Sequence, residues 1–281
     1  EIYQCDWSSD VCSSDLARFL AEDISKGDVT SAILSDRKIT ATIVSRQTGI
    51  VAGAKYAKEI FAIKGCHAQI LKKDGSIIKA GQTVLVISGS ARSILSCERT
   101  ALNLLSRMSG IATATSILVK QIKSVSKKTD LYSTRKTAPG LRFFDKEAVQ
   151  IGGGKKHRVT LSDMIMIKDN HIASEGSIIE LIKKARKKTK IFEVEVDTRE
   201  DAVLAASLGA PIIMLDNFSP KTIKRTISDL EKIGLRKNIR LEASGGINAK
   251  NIKEFARTGV DMISVGSITN STQAIDFSLE I

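Results

Sequence analysis

The stretch FEVEVDTREDAVLAASLGAPIIMLDN, residues 192–217, holds two short apolar runs with an amphipathic segment between them. Phe192 to Val196 and Ile212 to Leu215 are short and β-branched, as strands are. Glu200 to Leu208 reads as a helix. The connections are too short for anything but a β-α-β unit, which lays its two strands side by side in parallel. The same rhythm continues on both sides. Met164-Ile165-Met166-Ile167 precedes a helix over Ile178 to Ala185. Pro220 to Lys232 is the next helix, followed by Ile239 to Leu241, a helix over Ala249 to Thr258, and Met262 to Val265. Repeated β-α units build either a closed barrel or an open doubly wound sheet. No GxGxxG follows the first strand, which argues against a dinucleotide-binding sheet.

The polar residues decide between these architectures. Arg135-Lys136 end the run Leu131-Tyr132-Ser133-Thr134, and Lys168-Asp169-Asn170-His171 end the Met164 run. Glu195 and Asp197 close the Phe192 run, Asp216-Asn217 the Ile212 run, Ser244-Gly245-Gly246 the Leu241 run, and Gly266-Ser267 the last. Six successive strands finish in a functional group. In a β/α barrel those ends meet at one mouth, where barrel enzymes carry out their chemistry.

Three groupings stand out at that mouth. The first is cationic. Arg135, Lys136, Arg158 and Lys168 sit beside strand ends or a Gly-rich turn, and suit a ligand with several carboxylates or phosphates. Lys146, Lys155 and Lys156 read as solvated loop residues. The second is anionic. Glu193, Glu195 and Asp197 alternate with Val194 and Val196, so the three acids share one strand face and point into the barrel. Buried carboxylates need a cation or a bonded partner. Mg²⁺ with the hydroxyls of a sugar phosphate would satisfy them, and so would internal pairing of Glu193 with Lys136 or Lys168. The third is a pair of small-residue turns, Ser244-Gly245-Gly246 and Gly266-Ser267, whose backbone amides suit a phosphate.

The rest of the chain is α+β in character. Ile39 to Val44 alternates as a strand, and Tyr56 to Ile63 reads as a helix. Ile77-Ile78 and Val84 to Ile87 read as short strands. Ala101, Leu104, Leu105 and Met108 form one helix face, and Ile111, Ala114, Leu118 and Ile122 the face of a second helix. Cys97 reads as a core helix residue. Residues 1–16 show neither helical nor strand periodicity, and are expected to be a leader foreign to the fold.

Composition narrows the functional classes. Hydrophobic residues are 42% and charged residues 26%, a globular mix, while aromatics at 4% argue against a nucleic-acid surface built on stacked bases. Lys and Arg outnumber Asp and Glu by 43 to 31, for a net charge of +12. Much of the excess lies on helix faces such as residues 183–188, so the charges inside the site are more informative than the total. Cys5, Cys12, Cys66 and Cys97 form no CxxC pair, which fits a reduced, cytoplasmic protein. No uninterrupted apolar run approaches a membrane span, and no signal-peptide pattern is present.

Several motifs together resemble one family, quinolinate phosphoribosyltransferase. They are Thr134-Arg135-Lys136-Thr137-Ala138-Pro139-Gly140, Gly152-Gly153-Gly154-Lys155-Lys156-His157-Arg158, Lys168-Asp169-Asn170-His171, Glu193-Val194-Glu195, Leu215-Asp216-Asn217 and Glu242-Ala243-Ser244-Gly245-Gly246. Gly27-Asp28-Val29-Thr30 and Glu98-Arg99-Thr100-Ala101-Leu102-Asn103 extend the match toward the N-terminus. The resemblance implies an α/β fold: an N-terminal α/β sandwich domain over 17–110 together with about 269–281, and a β/α barrel of the phosphoribosyltransferase type over 111–268. It also implies a homodimer in which Arg99 reaches the partner's active site. Arg135, Lys136, His157, Arg158 and Lys168 would hold the carboxylates of quinolinate. Glu195 and Asp216 would meet the ribose hydroxyls and Mg²⁺ of phosphoribosyl pyrophosphate, and Ser244, Gly245, Gly246, Gly266 and Ser267 its phosphate. Lys136, Lys168, Glu195 and Asp216 would be the catalytic set. The implied products are nicotinate mononucleotide, CO₂ and pyrophosphate. One departure is Thr269-Asn270-Ser271, where the family usually reads Thr-His-Ser. Asn donates a hydrogen bond but carries no proton at neutral pH. The alternatives are a related phosphoribosyltransferase-like protein with another acceptor, and a non-catalytic barrel that binds a phosphorylated metabolite.

Overall fold

The computed structural model describes residues 9–281. The chain divides into two compact units. One contains 117–136 and 154–267; the other runs up to 116 and also includes 137–153 and 268–281.

The second of these units is built on an antiparallel sheet. In chain order its elements are α1 (Ser9–Ile24), α2 (Val29–Ala32), β1 (Lys38–Ser45), β2 (Gly49–Ile50), α3 (Ala54–Ile63), β3 (His67–Ile70), β4 (Ile77–Ile78), β5 (Thr83–Ser90) and α4 (Ala91–Lys123), of which the last crosses the unit boundary. Its sheet is completed by the C-terminus, as the final strand, Phe277–Glu280, pairs antiparallel with β1, setting Phe277 against Ser45. On β1, Lys38 and Thr40 are exposed while Ala41 and Ile43 are buried, and at its end Val44 and Ser45 are buried too. The alternation that the sequence shows over Ile39 to Val44 thus holds only in the first part of the strand.

Two expectations change here. Ala101–Met108 and Ile111–Ile122 belong to one unbroken helix, α4, not two. Gly110 sits inside it because a Cβ there would lie 2.3 Å from the Gln273 carbonyl oxygen, so the glycine serves a close approach and not a helix break. By length and composition α4 is apolar enough to cross a membrane, yet Ile94, Cys97, Leu105 and Met108 on it are fully buried in the protein. The second change concerns the leader. Residues 1–8 lie outside the described residues, but α1 starts at Ser9, and Leu16 is fully buried with Leu20 one turn on. Residues 9–16 of the expected leader thus belong to a helix, on which Leu16 is buried.

The other unit is a parallel sheet with helices between its strands. Here β6 is Asp130–Tyr132. After the helix α5 (Arg142–Ile151), which belongs to the antiparallel unit, come β7 (Ile165–Ile167), α6 (Asp169–Glu175), α7 (Ile178–Lys188), β8 (Phe192–Val196), α8 (Arg199–Ser207), β9 (Ile212–Asp216), α9 (Pro220–Lys232), β10 (Arg240–Ser244), α10 (Ile252–Ala256) and β11 (Met262–Ser264). Then α11 (Ser267–Asn270) and β12 (Phe277–Glu280) complete the chain. The strands lie in the order β6-β11-β10-β9-β8-β7, each parallel to its neighbours, the winding of a β/α barrel. Val194 and Val196, like Ile213 and Leu215, are buried on the helix side. Alternate residues face inward. Lys146, read from sequence as a loop residue, lies on α5 with 1% exposure.

Candidate active site

Inward-facing residues stack in layers because a strand repeats every second residue. The pairs are Met166 on β7 with Lys168 just past its end, Glu193 and Glu195 on β8, Met214 and Asp216 on β9, and Glu242 and Ser244 on β10. The first of each pair makes a floor and the second a mouth. Register agrees between β9 and β10, where Glu242 stands beside Met214 and Ser244 beside Asp216, and between β7 and β8, where Met166 stands beside Glu193; between β8 and β9 the layers are staggered, with Glu195 beside Met214. Below the floor, Met164, Ile212 and Met262 join Tyr132, Met166 and Met214 in a buried apolar cluster.

Above that cluster lies a cavity of about 370 Å³. Its walls include Arg135, Lys136, His157, Arg158, Lys168, Glu195, Asp216 and Ser244, together with Ser133, Thr134, Met166, Met214, Glu242 and Ser264. Eight of the residues singled out from sequence thus line one space. Gly245 and Gly246 follow Ser244 in a turn with positive φ, at 91° and 62°. A Cβ at Gly245 would come 2.2 Å from Asn217 Oδ1, so only glycine fits that turn. A Cβ at Gly266 would press within 3.0 Å of Lys136 Cδ, so this glycine gives Lys136 its room. Ser267 opens α11. Arg99 belongs to the antiparallel unit, on α4, and Asn270 ends α11.

Local structure aims the mouth residues. The Lys168 amide donates to His171 Nδ1 at 3.0 Å, which folds α6 back onto Lys168 and explains the spacing of Lys168-Asp169-Asn170-His171. The Lys168 ammonium bonds Glu195. Asn217, with φ of 56°, donates from Nδ2 to Asp216 Oδ2 at 2.6 Å, while its amide bonds the Ser244 carbonyl at 2.9 Å. Asp216 and the glycine turn are thereby linked. At the mouth, four cations (Arg135, Lys136, Arg158, Lys168) face two carboxylates, Glu195 and Asp216. This balance favours an anionic ligand.

The floor holds a group that sequence reasoning misses. Residues 155–156 run beside β6: Lys155 bridges Tyr132, and Ser133 Oγ donates to the Lys156 carbonyl at 2.9 Å. That carries His157 into the interior with φ of 54° and 4% exposure. Its Nε2 lies 3.2 Å from Glu242 Oε2 and 3.3 Å from Glu193 Oε2. Ser264 Oγ bonds the other oxygen of Glu242. Glu193 therefore pairs with His157, and not with Lys136 or Lys168 as the sequence suggests.

Burial, then the charge of Glu242, pushes the Glu193 carboxyl above the usual carboxylate range. Glu242 is held low despite its burial, by His157 and the Ser264 hydroxyl. Burial opposes charge on His157, the two carboxylates outweigh it, and the imidazole is pulled upward. The Arg158 amide, however, donates to Nδ1 at 2.8 Å. A ring protonated at Nδ1 would lose that bond, so the geometry is that of the neutral tautomer with its proton on Nε2. His157, Glu193 and Glu242 offer three donor atoms within 4.8 Å of one another, a spacing that suits a metal ion. Ser264 satisfies one oxygen of Glu242, while both Glu193 oxygens are buried with no hydrogen bond beyond the 3.3 Å approach of His157. At the mouth, Glu195 and Asp216 supply oxygen donors on neighbouring strands, the donor type Mg²⁺ prefers.

Comparison with known proteins agrees with this architecture. Residues 111–280 match the family described as "Quinolinate phosphoribosyl transferase, C-terminal domain", and residues 28–109 match its N-terminal domain. A protein of Methanothermobacter thermautotrophicus, named a probable nicotinate-nucleotide pyrophosphorylase (carboxylating), is 45% identical over 95% of this chain and 97% of its own length. The nicotinate-nucleotide pyrophosphorylase (carboxylating) of Mycobacterium leprae is 36% identical over 98% and 99%. Among solved structures, the nicotinate-nucleotide pyrophosphorylase of Francisella tularensis superposes with a TM-score of 0.90 at 39% identity, covering 98% of this chain and 97% of that one.

Proposed function

Because the chain belongs to the quinolinate phosphoribosyltransferase family, we propose that its barrel cavity transfers a phosphoribosyl group from phosphoribosyl pyrophosphate to quinolinate and decarboxylates the product to nicotinate mononucleotide, a step of NAD biosynthesis. The observation that carries this reading is the mouth itself, with cations, carboxylates and a glycine turn from successive strands around one cavity.

Arg135, Arg158 and Lys168 suit the two carboxylates of the acceptor, with Arg able to hold each bidentately. The Ser244-Gly245-Gly246 turn and Gly266-Ser267 suit the phosphate. Glu195 and Asp216 suit the ribose hydroxyls, and their negative charge favours the oxocarbenium-like character that C1 gains as pyrophosphate leaves. Mg²⁺, when bound with Glu195 and Asp216, would offset charge on the pyrophosphate. The pyridine nitrogen forms the new bond to C1 with the electrons of its lone pair, and pyrophosphate takes the electrons of the broken bond. The carboxylate beside the now cationic nitrogen then leaves as CO₂. The electron pair stays on the ring carbon until a proton replaces it, and Lys136 or Lys168, both lining the cavity, would steady that charge. Positioning and electrostatics supply most of the barrier reduction in such a scheme. A homodimer would complete the site with Arg99 from the second copy.

The purified protein, given quinolinate, phosphoribosyl pyrophosphate and Mg²⁺, should form nicotinate mononucleotide, and chelation should stop it. No nucleotide from quinolinate, with turnover of another acceptor, would reject this reading in favour of a related transferase.

A further inference from the structure

The antiparallel unit holds an ion pair that no step of the proposed reaction uses. Arg107, on α4, forks onto Asp145, on α5: Nε meets Oδ1 and Nη2 meets Oδ2, each at 2.7 Å. Asp145 is fully buried, and burial pushes its carboxyl up from the usual value, against the pull of Arg107 and of the Ala138 amide, which also donates to it. The same Nη2 donates to the Thr269 carbonyl at 3.1 Å. An apolar pair of similar volume often serves stability as well as a buried ion pair, because two charges must lose their water. What this pair adds is direction. It takes hold of backbone groups on two further segments, at residues 138 and 269.

Those segments matter for where they lead. The chain enters the antiparallel unit after Lys136 and again after Ser267. Ala138 lies two residues past Lys136, and Thr269 two residues past Ser267. Beyond Thr269 the chain follows α4, with the Ile275 amide on the Ser106 carbonyl at 3.1 Å and the Gln273 carbonyl against Gly110. Arg107 sets the start of that track.

We propose that Arg107 is a positioning residue for the transfer: through Asp145 and the Thr269 carbonyl, it fixes the backbone leading to Lys136 and to the Gly266-Ser267 turn. The proposal rests on the transferase reading above, which gives the turn to the phosphate and Lys136 to the charge left by CO₂.

Lysine at 107 keeps a positive charge opposite Asp145, but a single ammonium cannot hold the fork and the Thr269 carbonyl together. Arg107→Lys should raise KM for phosphoribosyl pyrophosphate about fivefold or more. A pair that only holds the fold would lower the denaturant midpoint, and with it the active fraction and the apparent kcat, but would leave KM at the parental value. That result for Arg107→Lys overturns the proposal. Should Arg107→Lys fail to fold by circular dichroism, Asp145→Asn decides in its place. It sets an amide NH₂ among donors and so breaks the fork, and the same rise in KM is expected. If neither variant folds, the pair is a folding element and the proposal is likewise overturned. A parent protein that makes no nucleotide defeats the transferase reading, whereas an active parent with a parental KM in the variant defeats only this inference.

Discussion

The mouth and the floor of the barrel are two residues apart along β8, β9 and β10 and do opposite things with charge. At the mouth, Arg135, Lys136, Arg158 and Lys168 surround two partly exposed carboxylates, and their charges face the space a ligand would fill. On the floor, Glu193 and Glu242 are fully buried and both face His157, with Ser264 bonded to Glu242. Loss of a mouth carboxylate should therefore read out mainly as kinetics, and loss of a floor carboxylate mainly as stability.

That contrast is open to direct attack. The largest effect is expected at Glu242→Ala, which leaves His157 and Ser264 without their shared partner. Breaking one member of a buried ionic cluster costs about 3–5 kcal/mol, to be read as a fall in the denaturant midpoint at unchanged slope. Next is its mouth counterpart on β8, Glu195→Ala. Loss of that carboxylate should lower kcat/KM about a hundredfold, or ~2.7 kcal/mol of transition-state stabilisation, with stability within about 1 kcal/mol of the parent. A Glu195→Ala protein that lost mainly stability would erase the distinction. The smallest is Gly245→Ala, which would drive a methyl group into Asn217 and disturb both Asp216 and the glycine turn. KM for phosphoribosyl pyrophosphate should rise about tenfold, with that for quinolinate little changed.

The same contrast explains what can be read from the sequence. Mouth residues announce themselves because each ends an apolar run, and period-two alternation aims them inward. Glu193 is visible as an inward acid, but its partner is not. His157 and Glu242 are 85 positions apart, and only the winding of β6 through β10 brings them together. In sequence Glu242 resembles the start of a glycine turn, and His157 part of a glycine-rich loop. The capping contact from Lys168 to His171 is legible in principle, since a residue three positions into a helix often bonds back to its start.

In the antiparallel unit the misses have other causes. The C-terminal strand pairs with β1 across the length of the chain, and only the family resemblance implies its return. Gly110 suggests a break between helices, because a glycine kept for packing cannot be told locally from one kept for a turn. Leu16 lies in a stretch without periodicity, yet it is buried.

Joining phosphoribosyl transfer to decarboxylation in one cavity is the reading on which the mouth residues' roles depend. Release of CO₂ from quinolinate labelled in the carboxylate beside the ring nitrogen, followed with and without phosphoribosyl pyrophosphate, puts it to the test. Labelled CO₂ is expected only when phosphoribosyl pyrophosphate is present, in step with nicotinate mononucleotide. CO₂ released without it, or nucleotide formed with the label retained, would contradict that reading.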